Sequence, residues 1–144
     1  MIYGIGIDLV DTERMERVIT RWGGRFTHKV FTTREIAYCE RKKSPAFHYA
    51  VRFAAKESFF KALGRAQGKG IRWREVEVVG KGDGPPSLGF SGVTERRVKV
   101  LGLRRVLLSL SHVLLFDCKN TESIKSIMIS IFFLFIFSIT TNEE

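Results

Sequence analysis

Two acidic residues and a lysine carry the first sign of chemistry in this chain. Asp8 closes the apolar run Ile2-Tyr3-Gly4-Ile5-Gly6-Ile7, and Glu57 and Lys61 lie within Arg52-Phe-Ala-Ala-Lys-Glu57-Ser-Phe-Phe-Lys61-Ala-Leu-Gly64. A carboxylate leaving a strand and another on a helix, with a lysine one turn beyond, can hold Mg²⁺ against a phosphate. That ion takes oxygen ligands and needs only one or two carboxylates beside substrate phosphates and waters. Taken alone, Glu57 and Lys61 also read as an exposed i,i+4 ion pair worth about 0.2–0.5 kcal/mol. Asp8 is the stronger signal: a run containing Ile5 and Ile7 is expected to be partly buried, where a lone carboxylate is costly unless paired. Asp11 and Thr12 are better placed than Asp8 to cap the helix that follows. Ser109-Leu-Ser111-His112, ending an apolar strand, suits a phosphate or acid–base site, although a terminal histidine is commonly structural.

The elements that must hold these residues follow a mixed α+β pattern. Ile2–Ile7 reads as a strand. Asp11 caps a helix carrying Met15, Val18, Ile19 and Trp22 at helical spacing, stopped by Gly23-Gly24. Thr32-Thr-Arg-Glu35 has capping-box spacing and opens a second helix running toward Lys43. Ser44-Pro45 starts a long helix ended by Gly64, with proline at its tolerated first position. Strands at 75–79 and 87–90 around a Gly/Pro turn read as a hairpin. A short helix at 94–101 and a strand at 104–110 complete the body.

Length allows one domain with a core of its own. Cys39 and Cys118 lie far apart without CxxC spacing, which favours free thiols in a cytosolic protein. No signal peptide opens the chain, so export is not expected and the localisation read is cytoplasmic. Residues 1–112 carry 22 Lys and Arg against 11 Asp and Glu, and call for an anionic partner: phosphate, nucleic acid or an acidic protein. Arg14, Arg17 and Arg21 share one face of the first helix and Arg25 follows it, a basic surface with no acid between Arg17 and Arg34. The face is either solvated or meets an acidic helix. Against a nucleic-acid module, the aromatics follow apolar helix faces rather than interleaving with basic residues on a strand platform. No zinc spacing or P-loop order is present, and Gly4-Ile-Gly6 is too short for a dinucleotide fingerprint.

Composition breaks after His112. Residues 113–144 contain no Gly, Ala, Arg or Pro, whereas residues 1–112 hold all 13 Gly. The missing residue types have GC-rich codons and many of the enriched ones AT-rich codons, the pattern of a tail read in a shifted frame. We divide the chain accordingly into residues 1–112 and an atypical, apolar tail of residues 113–144. The uncharged window Ser126–Asn142 is at the lower limit for spanning a bilayer. Its Ile127–Ile139 run is equally an aggregation-prone β segment.

Gly4-Ile-Gly-Ile-Asp8-Leu-Val, Phe31-Thr-Thr-Arg-Glu35, the segment from Arg52 to Gly64 and Ser109-Leu-Ser-His112, in this order and spacing, resemble the bacterial holo-acyl-carrier-protein synthases, the short class of 4′-phosphopantetheinyl transferases. The resemblance covers about residues 1–112. It implies that family's α+β fold: an antiparallel sheet packed with one long helix and shorter helices, here with the usual closing strand altered after His112. It implies transfer of phosphopantetheine from coenzyme A to a serine of acyl carrier protein, for fatty acid synthesis, with 3′,5′-ADP as the other product. It further implies Asp8 and Glu57 as Mg²⁺ ligands, Lys61 beside the reacting phosphate, and Arg52, Lys61, Gly64, Ser111 and His112 near coenzyme A. Arg14, Arg21 and Arg25 would meet the acidic carrier. The expected assembly is a homotrimer with sites between subunits; neither nucleic acid nor membrane is an expected partner. An inactive remnant of such a synthase and a basic nucleic-acid-binding module are the alternatives.

Overall fold

The helix expected between Ser44 and Gly64 organises the molecule. In the computed structural model, residues 2–64, 70–80, 85–116, 126–130 and 136–138 are described, with backbone alone at 112–116, 126–130 and 136–138. The elements run β1 (Val10–Asp11), α1 (Thr12–Trp22), α2 (Gly24–Val30), α3 (Thr33–Glu40), α4 (Pro45–Leu63), a 3₁₀ turn (Trp73–Glu75), β2 (Val76–Val79), β3 (Ser87–Phe90), α5 (Gly92–Val100), β4 (Arg105–Leu107), β5 (His112–Phe116), β6 (Ser126–Ser130) and β7 (Ile136–Ser138).

The local signals work as chemistry requires. The Asp11 side chain accepts from Arg14 N at 3.0 Å and caps α1, and Gly23, at φ 48°, ends it. Thr32 and Glu35 form the full reciprocal capping box of α3. Pro45 opens α4, and Gly64, at φ 53°, closes it in a conformation that glycine adopts without strain.

Apolar residues of α4 enter two cores. Ala54, Ala55, Phe59, Phe60 and Leu63 pack with Val76, Val78, Val98, Leu103 and Leu108. Tyr49 and Ala50 pack with Met15, Val30, Phe31 and Cys39. Trp73 joins the two, stacked on Phe53 at 4.9 Å and edge-on to Phe60 at 4.9 Å. Cys39 is a buried free thiol, pushed up to about 12 by burial above all.

β2 and β3 form the expected antiparallel hairpin, Val76 opposite Phe90 and Val79 opposite Ser87; residues 81–84 of its turn lie outside the described residues. Three further antiparallel pairings involve the region beyond residue 112. β6 lies between β1 and β5, with Val10 opposite Ser130 and His112 also opposite Ser130, and β7 pairs with β4, Val106 opposite Phe137. The apolar run at 127–139 falls partly outside the described residues.

The sequence reading needs correction in several places. Residues 3–9 form no regular strand; Ile2 makes only an isolated bridge, and strand pairing begins at Val10. Ile5 and Ile7 are exposed rather than core. The buried face of this segment is its glycine face: a Cβ on Gly4 would stand 2.2 Å from Ala62 O and one on Gly6 1.8 Å from Ser58 O. The segment therefore lies directly on the α4 backbone, which only glycine permits. Helix α2 was not foreseen, since Gly23-Gly24 read as a stop. The last strand of the body is confined to Arg105–Leu107, and Glu75 belongs to the 3₁₀ turn.

Candidate active site

The close approach of Gly4 and Gly6 to α4 delivers Asp8 beside the helix. Lys61 Nζ donates to Asp8 Oδ1 at 2.6 Å and to Ile7 O at 3.3 Å. The Asp8 side chain is nearly buried, at 11% exposure, while that of Lys61 is half exposed, so the ammonium faces outward from a fixed carboxylate. Glu57, one turn before Lys61, shares with Asp8 a cavity of about 430 Å³ whose wall also includes Arg14, Met15, Phe26 and Phe53. Burial, and then the Asp8 charge, raise the Glu57 carboxyl above its ordinary range, with Lys61 opposing.

Two carboxylates that repel each other at the mouth of a cavity, with an ammonium alongside, fit a hard cation. Among the described residues no group of three or more His, Cys, Asp or Glu is arranged around one point. Two carboxylates are nevertheless the usual protein contribution to a Mg²⁺ that shares its shell with substrate phosphates and water.

Arg52 and Ser111 lie elsewhere. They line a second cavity, of about 300 Å³, between the start of α4 and the hairpin, together with Tyr38, His48, Val78 and Pro86. One chain thus does not bring all the expected site residues together: Asp8, Glu57 and Lys61 form one group, Arg52 and Ser111 another. Gly64 caps α4 and lies exposed just beyond Lys61. His112 opens β5, and its side chain is outside the description. Arg14 stands at the rim of the carboxylate cavity; Arg21 is exposed with its guanidinium 5.2 Å from the Trp22 ring, and Arg25 is exposed on α2. Arg17 is partly neutralised by Glu13 at 3.7 Å.

Sequence reasoning missed the residues that support the site. Lys56 received no role from the sequence, yet its side chain is wholly buried and its Nζ donates to Glu35 Oε2 at 2.6 Å, Val30 O at 2.8 Å and Trp73 O at 3.2 Å. Glu35 also accepts from Thr32 N and Val78 N, each at 2.9 Å, so the capping-box acid is at the same time the buried counter-ion. The available signal was helical phase: Lys56 shares its side of α4 with buried Tyr49, Phe59, Phe60 and Leu63.

This arrangement matches known proteins over most of its length. A family model described as the 4′-phosphopantetheinyl transferase superfamily covers residues 4–110, which makes the chain a member of that class. The holo-[acyl-carrier-protein] synthase of Syntrophus aciditrophicus is 45% identical over 112 residues, covering 78% of this chain and 88% of the relative. That of Solibacter usitatus is 42% identical over 112 residues, covering 78% and 90%. Among solved structures, the Neisseria meningitidis holo-[acyl-carrier-protein] synthase superposes with a TM-score of 0.71 at 29% identity, over 94% of this chain and 98% of the other. The Bacillus anthracis synthase in complex with CoA (3′,5′-ADP) superposes at 0.68 with 26% identity, over 96% and 98%. Within the superfamily, the chain belongs to the holo-[acyl-carrier-protein] synthases. No described helix is long and apolar enough to cross a membrane.

Proposed function

We propose that this chain transfers 4′-phosphopantetheine from coenzyme A to a serine hydroxyl of acyl carrier protein. The serine oxygen forms a bond to the β-phosphorus of the coenzyme A pyrophosphate as its proton passes to a water or a nearby carboxylate, the bridging P–O bond breaks, and 3′,5′-ADP leaves. The observation that carries this reading is the Asp8–Lys61 pair at 2.6 Å, with Asp8 and Glu57 sharing one cavity, within the region that matches the family.

Each side chain has a role set by its position. Asp8 and Glu57 would hold Mg²⁺, which when bound supplies positive charge to the pyrophosphate oxygens. Lys61, fixed by Asp8 and Ile7 O, points its remaining donor capacity outward and offsets charge gathering on the departing phosphate. Met15, Phe26 and Phe53 make the cavity wall apolar, which strengthens those electrostatic contacts by excluding water. Arg14, at the rim, with Arg21 and Arg25 beyond it, presents a basic surface to an acidic carrier. The second cavity, with Arg52 and Ser111, and His112 beyond it, receives the nucleotide part of coenzyme A, and Gly64 leaves backbone open beside Lys61.

The two cavities become one site where the face of one copy meets that of another. Ile5, Ile7 and Leu9, exposed by 50%, 44% and 56%, form an apolar stripe on the segment that carries Asp8, and burying it would favour the trimer expected of the family. The test of the function is intact-mass spectrometry of apo-acyl carrier protein incubated with the chain, coenzyme A and Mg²⁺. Addition of one phosphopantetheine group is expected. No addition by a chain shown to be folded by circular dichroism would refute the reading.

A further inference from the structure

The second cavity holds a polar group without a partner. Arg52 is 7% exposed; its Nη1 donates to His48 O at 3.2 Å, its guanidinium carbon lies 4.0 Å from the centre of the Tyr38 ring, and its buried Nε has no hydrogen-bond partner among the described residues. A guanidinium with an unused donor in a buried wall calls for an anion. One turn earlier on α4, His48 lines the same cavity, its ring edge-on to Tyr38 at 5.6 Å and to Phe47 at 5.2 Å.

The surroundings of His48 are mostly cationic. Arg52 faces it from α4. Lys42, from the turn after α3, sits with its Nζ 4.6 Å from the Tyr38 ring centre. On its other side, His48 borders a groove to which Lys43, Glu40 and Glu16 contribute charge, and Glu40 is engaged by the Tyr49 hydroxyl at 2.7 Å. Among the described residues the rest of that wall, Val78, Gly80, Pro86, Leu110 and Ser111, brings no charge. Burial first, then Arg52 and Lys42, hold His48 below the ordinary 6.5, so at neutral pH the imidazole is uncharged. A phosphate dianion beside Arg52 would reverse the sign of that field and favour the imidazolium.

We propose that His48 is a specificity-determining residue of the nucleotide half-site: it takes up a proton as the 3′-phosphate monoester of the ribose lodges beside Arg52. The inference rests on the function proposed above and goes beyond it by naming a residue that makes recognition of this phosphate pH-dependent. The sign follows from linkage. Affinity is highest while the bound-state imidazole is protonated, and it falls as pH rises through the bound-state pKa, by up to about tenfold for each unit of pKa difference between bound and free states. Compounds lacking the 3′-monoester should show no such slope. Protonation of the phosphate itself, near pH 6, affects wild type and variant alike and cancels in their ratio.

The test is calorimetric titration of the full chain and its His48→Gln variant with 3′,5′-ADP and with 5′-AMP, from pH 6 to 8.5, in two buffers of different ionisation enthalpy. With 3′,5′-ADP the wild type should take up more protons than the variant, and its affinity advantage should shrink about tenfold or more across the range. With 5′-AMP the two proteins should behave alike. Equal proton uptake by both proteins with 3′,5′-ADP would overturn the role of His48 while leaving the transferase reading intact, provided the carrier is still modified. Failure of the wild type to bind 3′,5′-ADP, together with no modification of the carrier, would overturn both.

Discussion

Lys56→Met removes one half of a buried ion pair while nearly preserving volume, so its cost isolates the electrostatic node under the site. The Lys56 and Glu35 side chains are 0% and 1% exposed, and five hydrogen bonds meet on the pair, tying the end of α2, the start of α3, the middle of α4, the 3₁₀ turn and β2. Breaking such a pair leaves an uncompensated buried charge, at a cost of about 3–5 kcal/mol. Against a total stability of about 5–15 kcal/mol, the variant should sit near the edge of folding. At about 3 °C per kcal/mol for a chain of this size, thermal unfolding followed by circular dichroism should show a drop of about 10–15 °C. Glu35→Gln removes the charge from the other side and supplies a pH signature. Burial already pulls Lys56 below its ordinary 10.5, with Glu35 opposing, and without Glu35 the pull is stronger. A folded-state lysine pKa below the unfolded value means that the unfolded chain binds more protons, so stability rises with pH between the two values. The deficit of Glu35→Gln should therefore shrink from pH 7 toward pH 9. A fall of less than about 3 °C for Lys56→Met, or a Glu35→Gln deficit that grows with pH, would refute this account.

Glu57→Gln should abolish carrier modification yet leave the fold at least as stable at pH 7, because the folded chain then no longer holds a carboxylate that burial and Asp8 both disfavour; thermal unfolding beside the mass assay checks both halves. The wild type should pass through the same effect with pH: a raised carboxyl pKa means stability is lost as pH rises from the unfolded pKa to the folded one. Gly6→Ala should cost about 1–3 kcal/mol and most of the activity, since the Cβ would stand 1.8 Å from Ser58 O and push Asp8 away from Lys61; a denaturant midpoint unchanged from wild type would contradict it. Arg14→Glu with Arg21→Glu should weaken carrier binding, measured by its salt dependence, while 3′,5′-ADP binding stays within twofold, because exposed charges act over about 8 Å at physiological salt. Truncation after Phe116 removes β6 and β7 and leaves β1, β4 and β5 with unpaired edges, so size-exclusion chromatography should show association; a monodisperse, active truncated chain would mean that the tail stands outside the working fold.

Much of the helical half was legible because its signals are local. Capping at Asp11 and Thr32, proline at the first position of α4 and glycine at its end all act within a few residues, and each held. The first strand was misread because alternating isoleucines look like a half-buried strand from either side. What decided the outcome was contact between Gly4, Gly6 and the backbone of a helix more than fifty residues away. No periodicity encodes such a contact. Glu35 was read as a capping-box partner, which it is; that it also neutralises Lys56 depends on α3 and α4 meeting in space.

The division of the site between two cavities was, by contrast, present in the sequence as an angle. At 3.6 residues per turn, positions 57 and 61 differ by about 40° around a helix, whereas 52 and 57 differ by about 140°. Glu57 and Lys61 therefore share a face, and Arg52 faces away from them whatever the loops do. A ligand that touches both groups must either wrap α4 or lie between two copies of the chain. α4 packs into both cores through Ala50, Ala54, Ala55 and Phe59, which closes the path around the helix and is the ground for proposing a site between copies. Ile5, Ile7 and Leu9 lie exposed next to Asp8, and the trimer contact proposed above would both cover them and bring the second cavity of a neighbour toward the carboxylates of the first.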